Sequence, residues 1–231
     1  MKIDIAIIGA MDAEVSGLIS RLEDSAVESL GWLTFYTGKL LGKTVAVAKC
    51  GIGKVFAAMY AEAMIIKYSP KLIINTGVGG ALASGISPTD IVIASELCQH
   101  DMDTSALGDE VGLVSGINKI YFESDARAVK ILSDAATEKG YRSHIGRIAT
   151  GDRFVADSKE KAVIRDRFAA MACEMEGGAI AQTASVNSVP FAVIRAISDS
   201  ADGEAIMEYM SFLPIAAERS LALTLELIEK Y

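Results

Sequence analysis

Four carboxylates stand where an apolar stretch of the chain gives way to a turn or a helix. Glu14 follows IAIIGAMDA, Glu174 and Glu176 lie one residue apart in MACEMEGGAIA, and Asp199 closes FAVIRAISD. Carboxylates are rarely buried alone, because stripping their charge of water costs about several kcal/mol unless hydrogen bonds or an ion pair replace the lost solvation. Either these segments lie at the surface or something pairs with the acids. A carboxylate at a helix N-terminus gains about 0.3–1 kcal/mol from the helix dipole, so each acid taken singly has a structural reading as a cap. Four in the same kind of position, with no Ser-His-Asp or Cys-His set to compete, point to acid/base chemistry on a small polar ligand.

Glycine-bearing turns surround these acids. Gly9 to Glu14, Cys50 to Gly53, Asn75 to Gly80, Thr150 to Phe154 and Arg195 to Ser200 each put Gly or an acid at the end of an apolar strand. Glycine there lets the backbone approach a ligand closely, and several such turns on one sheet edge make a pocket. They are not phosphate loops. No GxGxxG follows the first strand, Asp12 and Glu14 would repel a pyrophosphate, and GIGK at 51–54 lacks both the upstream Gly and the Ser/Thr after Lys of a P-loop.

The elements that must position these residues follow from periodicity. KIDIAIIGAM predicts a strand, and DAEVSGLISRL a helix with Val15, Leu18, Ile19 and Leu22 on one face. Two strands around Leu41-Gly42-Lys43 form a hairpin, and a helix runs from about Lys54 to Lys67, stopped before Pro70. KLIINTG and DIVIASEL are buried strands. The aperiodic segment after Gln99 is a long functional or interface loop. A helix closed by Gly140, a strand HIGRIATGD, a helix over EMEGGAIAQTASV, a strand ending at Asp199 and a C-terminal helix complete the pattern. Strands alternating with helices predict an α/β fold with a parallel or mixed sheet covered on both faces, ligands sitting beyond the carboxyl ends of its strands.

Length and composition exclude several functions. The 231 residues suit one domain spanning 1–231, and no apolar run approaches the roughly 18 residues of a membrane span. The expectation is a soluble, unexported, cytoplasmic protein. Cys50, Cys98 and Cys173 are an odd number at wide spacing, the pattern of reduced thiols, and His100 and His144 have no ligand spacing around them, so zinc is not expected. A formal net charge of −8 without a Lys/Arg cluster argues against a nucleic-acid polymer as partner.

GAMxxE, CGIGK, NTGxxG, TGDRF, EMEGxAIA and RAISD occur in this order along essentially the whole chain. In this the sequence resembles the 5′-methylthioadenosine/S-adenosylhomocysteine nucleosidases of the purine nucleoside phosphorylase superfamily. The resemblance implies a three-layer α/β sandwich around a mixed, partly barrel-like sheet, no cofactor, and a homodimer. It implies hydrolysis of the N-glycosidic bond of an adenine thionucleoside, 5′-methylthioadenosine or S-adenosylhomocysteine, with 5′-deoxyadenosine a further candidate. Asp199 would protonate adenine N7 and Glu14 would activate water. Glu176 and the Met175 backbone would hold the ribose hydroxyls, with Glu174 supporting Glu176 or the water. Phe154 would stack on adenine, and the Val155 backbone would read its edge. Arg195 would orient Glu14 and water. Ile52, Tyr209 and Phe212 would surround the 5′ substituent, and Gly80 and Ser198 complete the substrate-binding set.

Departures from the family pattern bear on the nucleophile. Phosphorylases of the superfamily resemble this chain but place an Arg where it has Asn75, so water rather than phosphate is expected. Val78 stands where many relatives carry Ser near the water, and Leu107 where many carry a Phe that reaches the neighbouring subunit's site. The competing readings are another purine nucleosidase such as a futalosine hydrolase, a nucleoside phosphorylase, or a silent nucleoside-binding protein. A general base at Glu14 argues against the last.

Overall fold

A computed structural model describes residues 2–231. At its centre lies β1 (Ile5–Gly9), every residue of which is buried. Ile5 and Ile7 face one hydrophobic core while Ala6 and Ile8 face another, the period-2 alternation of a strand with apolar layers on both sides. Strand β1 pairs in parallel with β4 (Lys43–Lys49) and β5 (Leu72–Ala81).

Beyond β5 the sheet closes on itself. Strand β5 pairs with β10 (Phe191–Asp199), β10 with β6 (Ile91–Gln99), β6 with β8 (Ser143–Thr150), β8 with β9 (Ala170–Glu174), and β9 returns to β5 through Gly80 and Ala81. This five-stranded ring is the barrel-like part of the mixed sheet; β1, β4, β3 (Leu33–Leu40) and β2 (Glu23–Leu30) extend it as an open wing, and the short β7 (Phe122–Glu123) edges β6. Helices α2 (Lys54–Tyr68) and α5 (Gly177–Val186) pack together over one face. The opposite face is covered by α1 (Asp12–Ile19), α3 (Ala126–Glu138) and α6 (Ala205–Lys230), and α4 (Ser158–Phe168) flanks β8 and β9. The three-layer, partly barrel-like α/β architecture is as expected.

Three elements have no counterpart in the periodicity. Strand β2 is EDSAVESL, almost wholly exposed, and pairs only with β3; as an edge strand it has no buried face to impose an alternating pattern. Helix α4 is polar and short, and its start is set by Asp157, whose Oδ1 accepts the N–H groups of Lys159 (2.9 Å) and Glu160 (3.0 Å). Strand β9 corrects the helix expected from Glu174: the acid ends a strand, and α5 begins only at Gly177. The aperiodic segment after Gln99 contains one 3₁₀ turn, Ser105–Leu107, before β7. No helix among the described residues is long and apolar enough to cross a membrane.

Candidate active site

The carboxyl ends of β1, β5, β9 and β10 open on a cavity of about 410 Å³, which Glu14, Glu174, Glu176 and Asp199 all line. This is within the range of about 300–1,000 Å³ usual for small-molecule sites. All four acids are buried, and their surroundings separate their roles.

Glu174 is fully engaged by the protein. Its Oε1 accepts the Thr150 hydroxyl, and its Oε2 accepts Arg195 Nη2 and the N–H groups of Glu176 (3.0 Å) and Gly177 (2.7 Å). Glu174 thereby caps α5 and neutralises an arginine that is itself only 1% exposed. Glu176 has only one oxygen held, Oε1 accepting the Gly53 N–H at 2.8 Å. Its Oε2 lies 3.9 Å from Arg195 Nη2 and takes no hydrogen bond among the described residues, so it is free for a ligand's hydroxyl. Burial, and then the neighbouring Glu174 charge, push the Glu176 carboxyl above the usual range.

Glu14 is both a cap and a cavity residue. Its Oε2 accepts the N–H groups of Ala10 (2.7 Å) and Met11 (3.0 Å) at the start of α1, and its Oε1 accepts the Val78 N–H at 3.1 Å. Burial raises its pKa against the opposing field of Arg195 and those N–H groups. A carboxylate so placed is a base stronger than a free glutamate, with its lone pairs in fixed directions.

Asp199 sits at a β-bulge. Ile197 pairs with Gly79 and Asp199 with Gly80, leaving Ser198 as the extra residue, so that consecutive side chains 198 and 199 both reach the cavity. Asp199 Oδ1 accepts the Ala201 N–H at 2.9 Å, and Ser198 Oγ lies 2.8 Å from Oδ2. Burial is the largest influence and raises its pKa, the condition for a carboxylic acid to keep a proton towards neutrality. A Cβ on Gly80 would come within 2.8 Å of Asp199 Oδ1, and one on Gly77 would overlap Glu14 Oε1. The NTGxxG glycines therefore make room for the two acids.

The rest of the lining is apolar or aromatic. Ile52, Val78, Gly80, Phe154, Val155, Met175, Ser198 and Tyr209, all singled out from the sequence, border the cavity. Phe154 and Tyr209 meet edge to face, ring centroids 5.7 Å apart, and the Tyr209 hydroxyl contacts Met11 Sδ at 3.2 Å. Sequence reasoning missed Ala10, Met11, Gly79, Arg153 and Cys173 as lining residues, although each adjoins or lies within a motif already singled out. Burial holds Cys173 as a neutral thiol.

Arg195 and Phe212 depart from expectation, since neither borders the cavity. Arg195 points to Glu174 and Asn75 instead of orienting Glu14, because a fully buried guanidinium needs direct acceptors and Glu14 already has three N–H donors. Phe212 is half-buried on α6 outside the cavity, one helical turn beyond the residue that reaches it, Tyr209. Leu107 is 84% exposed on the 3₁₀ turn. Asn75 is also off the cavity, its amide donating to the Ile8 carbonyl at 2.9 Å and accepting from Arg195.

A closed sheet ring with paired acids at its strand ends matches what sequence comparison finds: residues 4–229 fit the family model of the phosphorylase superfamily. The chain is 40% identical to the 5′-methylthioadenosine/S-adenosylhomocysteine nucleosidase of Staphylococcus haemolyticus over 226 residues, 97% of this chain and 99% of the relative. It belongs to that nucleosidase family within the superfamily. Among solved structures, the Neisseria meningitidis 5′-methylthioadenosine/S-adenosylhomocysteine nucleosidase in complex with methylthio-immucillin-A superposes with a TM-score of 0.95 at 38% identity, covering 99% of both chains. A futalosine hydrolase of Helicobacter pylori gives 0.94 at 30% identity, covering 99% of this chain and 98% of that one.

Proposed function

We propose that the cavity hydrolyses the N-glycosidic bond of 5′-methylthioadenosine and S-adenosylhomocysteine, releasing adenine. The observation that carries this reading is the convergence of Glu14 and Asp199 on one cavity, each buried, each with a raised pKa and each seated against a glycine of β5. The names of the curated relatives agree with it. Cleavage leaves positive charge on the ribose and negative charge on the base. Asp199 gives its proton to adenine N7, turning an anionic leaving group into a neutral one, and Glu14 takes the proton of the attacking water. The open Oε2 of Glu176 accepts the ribose hydroxyls. Phe154 stacks on the purine, the Val155 backbone reads its edge, and Met175 packs on the sugar. Ile52 and Tyr209 border the 5′ substituent. The purified protein should release adenine from 5′-methylthioadenosine with or without phosphate; no release from any adenine thionucleoside would defeat the reading.

Water, not phosphate, is the nucleophile because Glu14 holds a carboxylate where an anion would have to approach. Asn75 lies off the cavity, so of the two Glu14 alone sets the charge that an incoming anion would meet. At Val78 it is the backbone N–H that binds Glu14, which any residue but proline supplies. Val78→Ser should therefore leave turnover unchanged or raise it by no more than about tenfold, a hydroxyl contact being worth about 0.5–1.5 kcal/mol at most. Steady-state kinetics checks this; a loss beyond tenfold would mean that the valine packs on the substrate.

The same reading includes a homodimer in the cytoplasm. Val55, Met59 and Ile66 share one face of α2 and are 70%, 45% and 72% exposed, and Leu107 projects from the neighbouring segment, free to reach a partner's cavity. Light scattering should give twice the chain mass at micromolar concentration. A monomer with full activity would remove this part of the reading.

A further inference from the structure

Helix α2 begins beside the cavity without a cap of its own. Its N-cap is Gly53, which has no side chain, and at φ +103° and ψ 161° it adopts a conformation other residues rarely enter. Two carboxylates from distant parts of the chain take the free N–H groups instead. Glu176 Oε1 accepts the Gly53 N–H at 2.8 Å, and Asp152 Oδ1 accepts the Lys54 N–H at 2.7 Å. A Cβ on Gly53 would stand 3.0 Å from Asp152 Oδ1, so the glycine also clears the way for that acid.

Asp152 is in turn held by Asp101. Asp101 Oδ2 accepts the Asp152 N–H at 2.9 Å, and Asp101 Oδ1 pairs with Lys54 Nζ at 2.6 Å. The result is a closed strut, Lys54 to Asp101 to Asp152 and back to Lys54, that locks the Ile52–Lys54 segment to the turn carrying Phe154. Ile52 and Glu176 both line the cavity, one as its wall and one as its free carboxylate oxygen.

We propose that Asp152 is a positioning residue: by capping α2 in trans it fixes Ile52 and the Gly53 N–H, and so sets the place of the 5′ substituent and the aim of Glu176. The inference rests on the nucleosidase reading for what fills the cavity. An acceptor at an N-cap position is worth enough that its loss costs about 3- to 30-fold in an equilibrium, and here that loss falls on substrate binding, because neither Asp199 nor Glu14 touches the strut.

The test compares Asp152→Ala, Asp152→Asn and Lys54→Met with Asp125→Ala, which removes a cap of α3, where Asp125 Oδ1 accepts the Ala128 N–H at 2.8 Å. With 5′-methylthioadenosine, Asp152→Ala should raise KM by about 3- to 30-fold with kcat within about threefold. Asp152→Asn, whose amide oxygen still accepts, should restore KM to within about threefold, and Lys54→Met should raise KM less than Asp152→Ala does. Asp125→Ala should lower Tm without moving KM. In the unliganded protein, amide exchange at Gly53 and Lys54 should quicken about tenfold in Asp152→Ala but not in Asp152→Asn, a readout that needs no turnover. Parental KM in both Asp152→Ala and Lys54→Met, or unchanged exchange at Gly53 and Lys54, overturns the strut. A parent that cleaves no thionucleoside overturns the functional reading instead, while the exchange measurement still decides the strut.

Discussion

Asp199→Asn lowers kcat on 5′-methylthioadenosine by about 10²–10⁴-fold, the usual contribution of a positioned general acid, while the nucleoside still binds. The amide keeps the side chain's shape, its oxygen can accept the Ala201 N–H and its NH₂ can face Ser198 Oγ, but it has no proton to give. In the parent enzyme kcat should fall as pH rises through the raised Asp199 pKa, and the residual rate of the variant should lack that limb. The stability contributed by Asp199 falls in the same direction. A carboxyl whose pKa is higher folded than unfolded binds its proton more tightly in the native state. The stability it contributes is present at low pH and is lost as pH rises from the unfolded carboxylate range, about 3.9, through the folded value. Asp199→Asn should therefore melt at or above the parental temperature near neutral pH and lose that advantage below about pH 4. A variant within a few-fold of the parental rate would remove Asp199 from its role.

Arg195→Met destabilises the protein by about 3–5 kcal/mol, the cost of leaving one member of a buried ion pair unpaired. Arg195 is 1% exposed and is the cation for Glu174, with Asn75 as its other side-chain hydrogen-bond partner and Glu176 Oε2 3.9 Å away. Without it Glu174 must ionise alone or take up a proton, and the N–H bonds that aim Glu176 weaken with it. For a chain of this size the expected fall in Tm is about 6–20 °C. Adding Glu174→Gln should recover part of the loss, since the double variant buries no lone charge. Thermal melts of the two variants check this. A single variant within about 1 kcal/mol of the parent would mean that the pair does not anchor this part of the core.

The fate of Arg195 shows where the sequence was and was not legible. The motifs disclosed which strand ends carry acids and glycines, because a buried run that stops at a charge is visible in one dimension. Glu14, Glu176 and Asp199 were found that way. What each acid does depends on partners far away in the chain. Glu174 and Glu176 are one residue apart, yet Thr150 and Arg195 consume the first while the Gly53 N–H leaves the second with an oxygen free. Their spacing on a strand end and a cap, rather than on a helix, also hid their separate aims. Likewise β2 and α4 carry no apolar period because neither has a wide buried face, and the ring closure between β5 and β10 follows from pairings that no local pattern encodes.

The central claim is that Glu14 and Asp199 together direct water onto the anomeric carbon of an adenine thionucleoside. Turnover of 5′-methylthioadenosine in phosphate buffer made with ¹⁸O-water, followed by mass spectrometry of the sugar, tests it directly. The predicted product is free 5-methylthioribose carrying one ¹⁸O, with adenine in equal amount; predominant 5-methylthioribose 1-phosphate, or an unlabelled sugar, would contradict it.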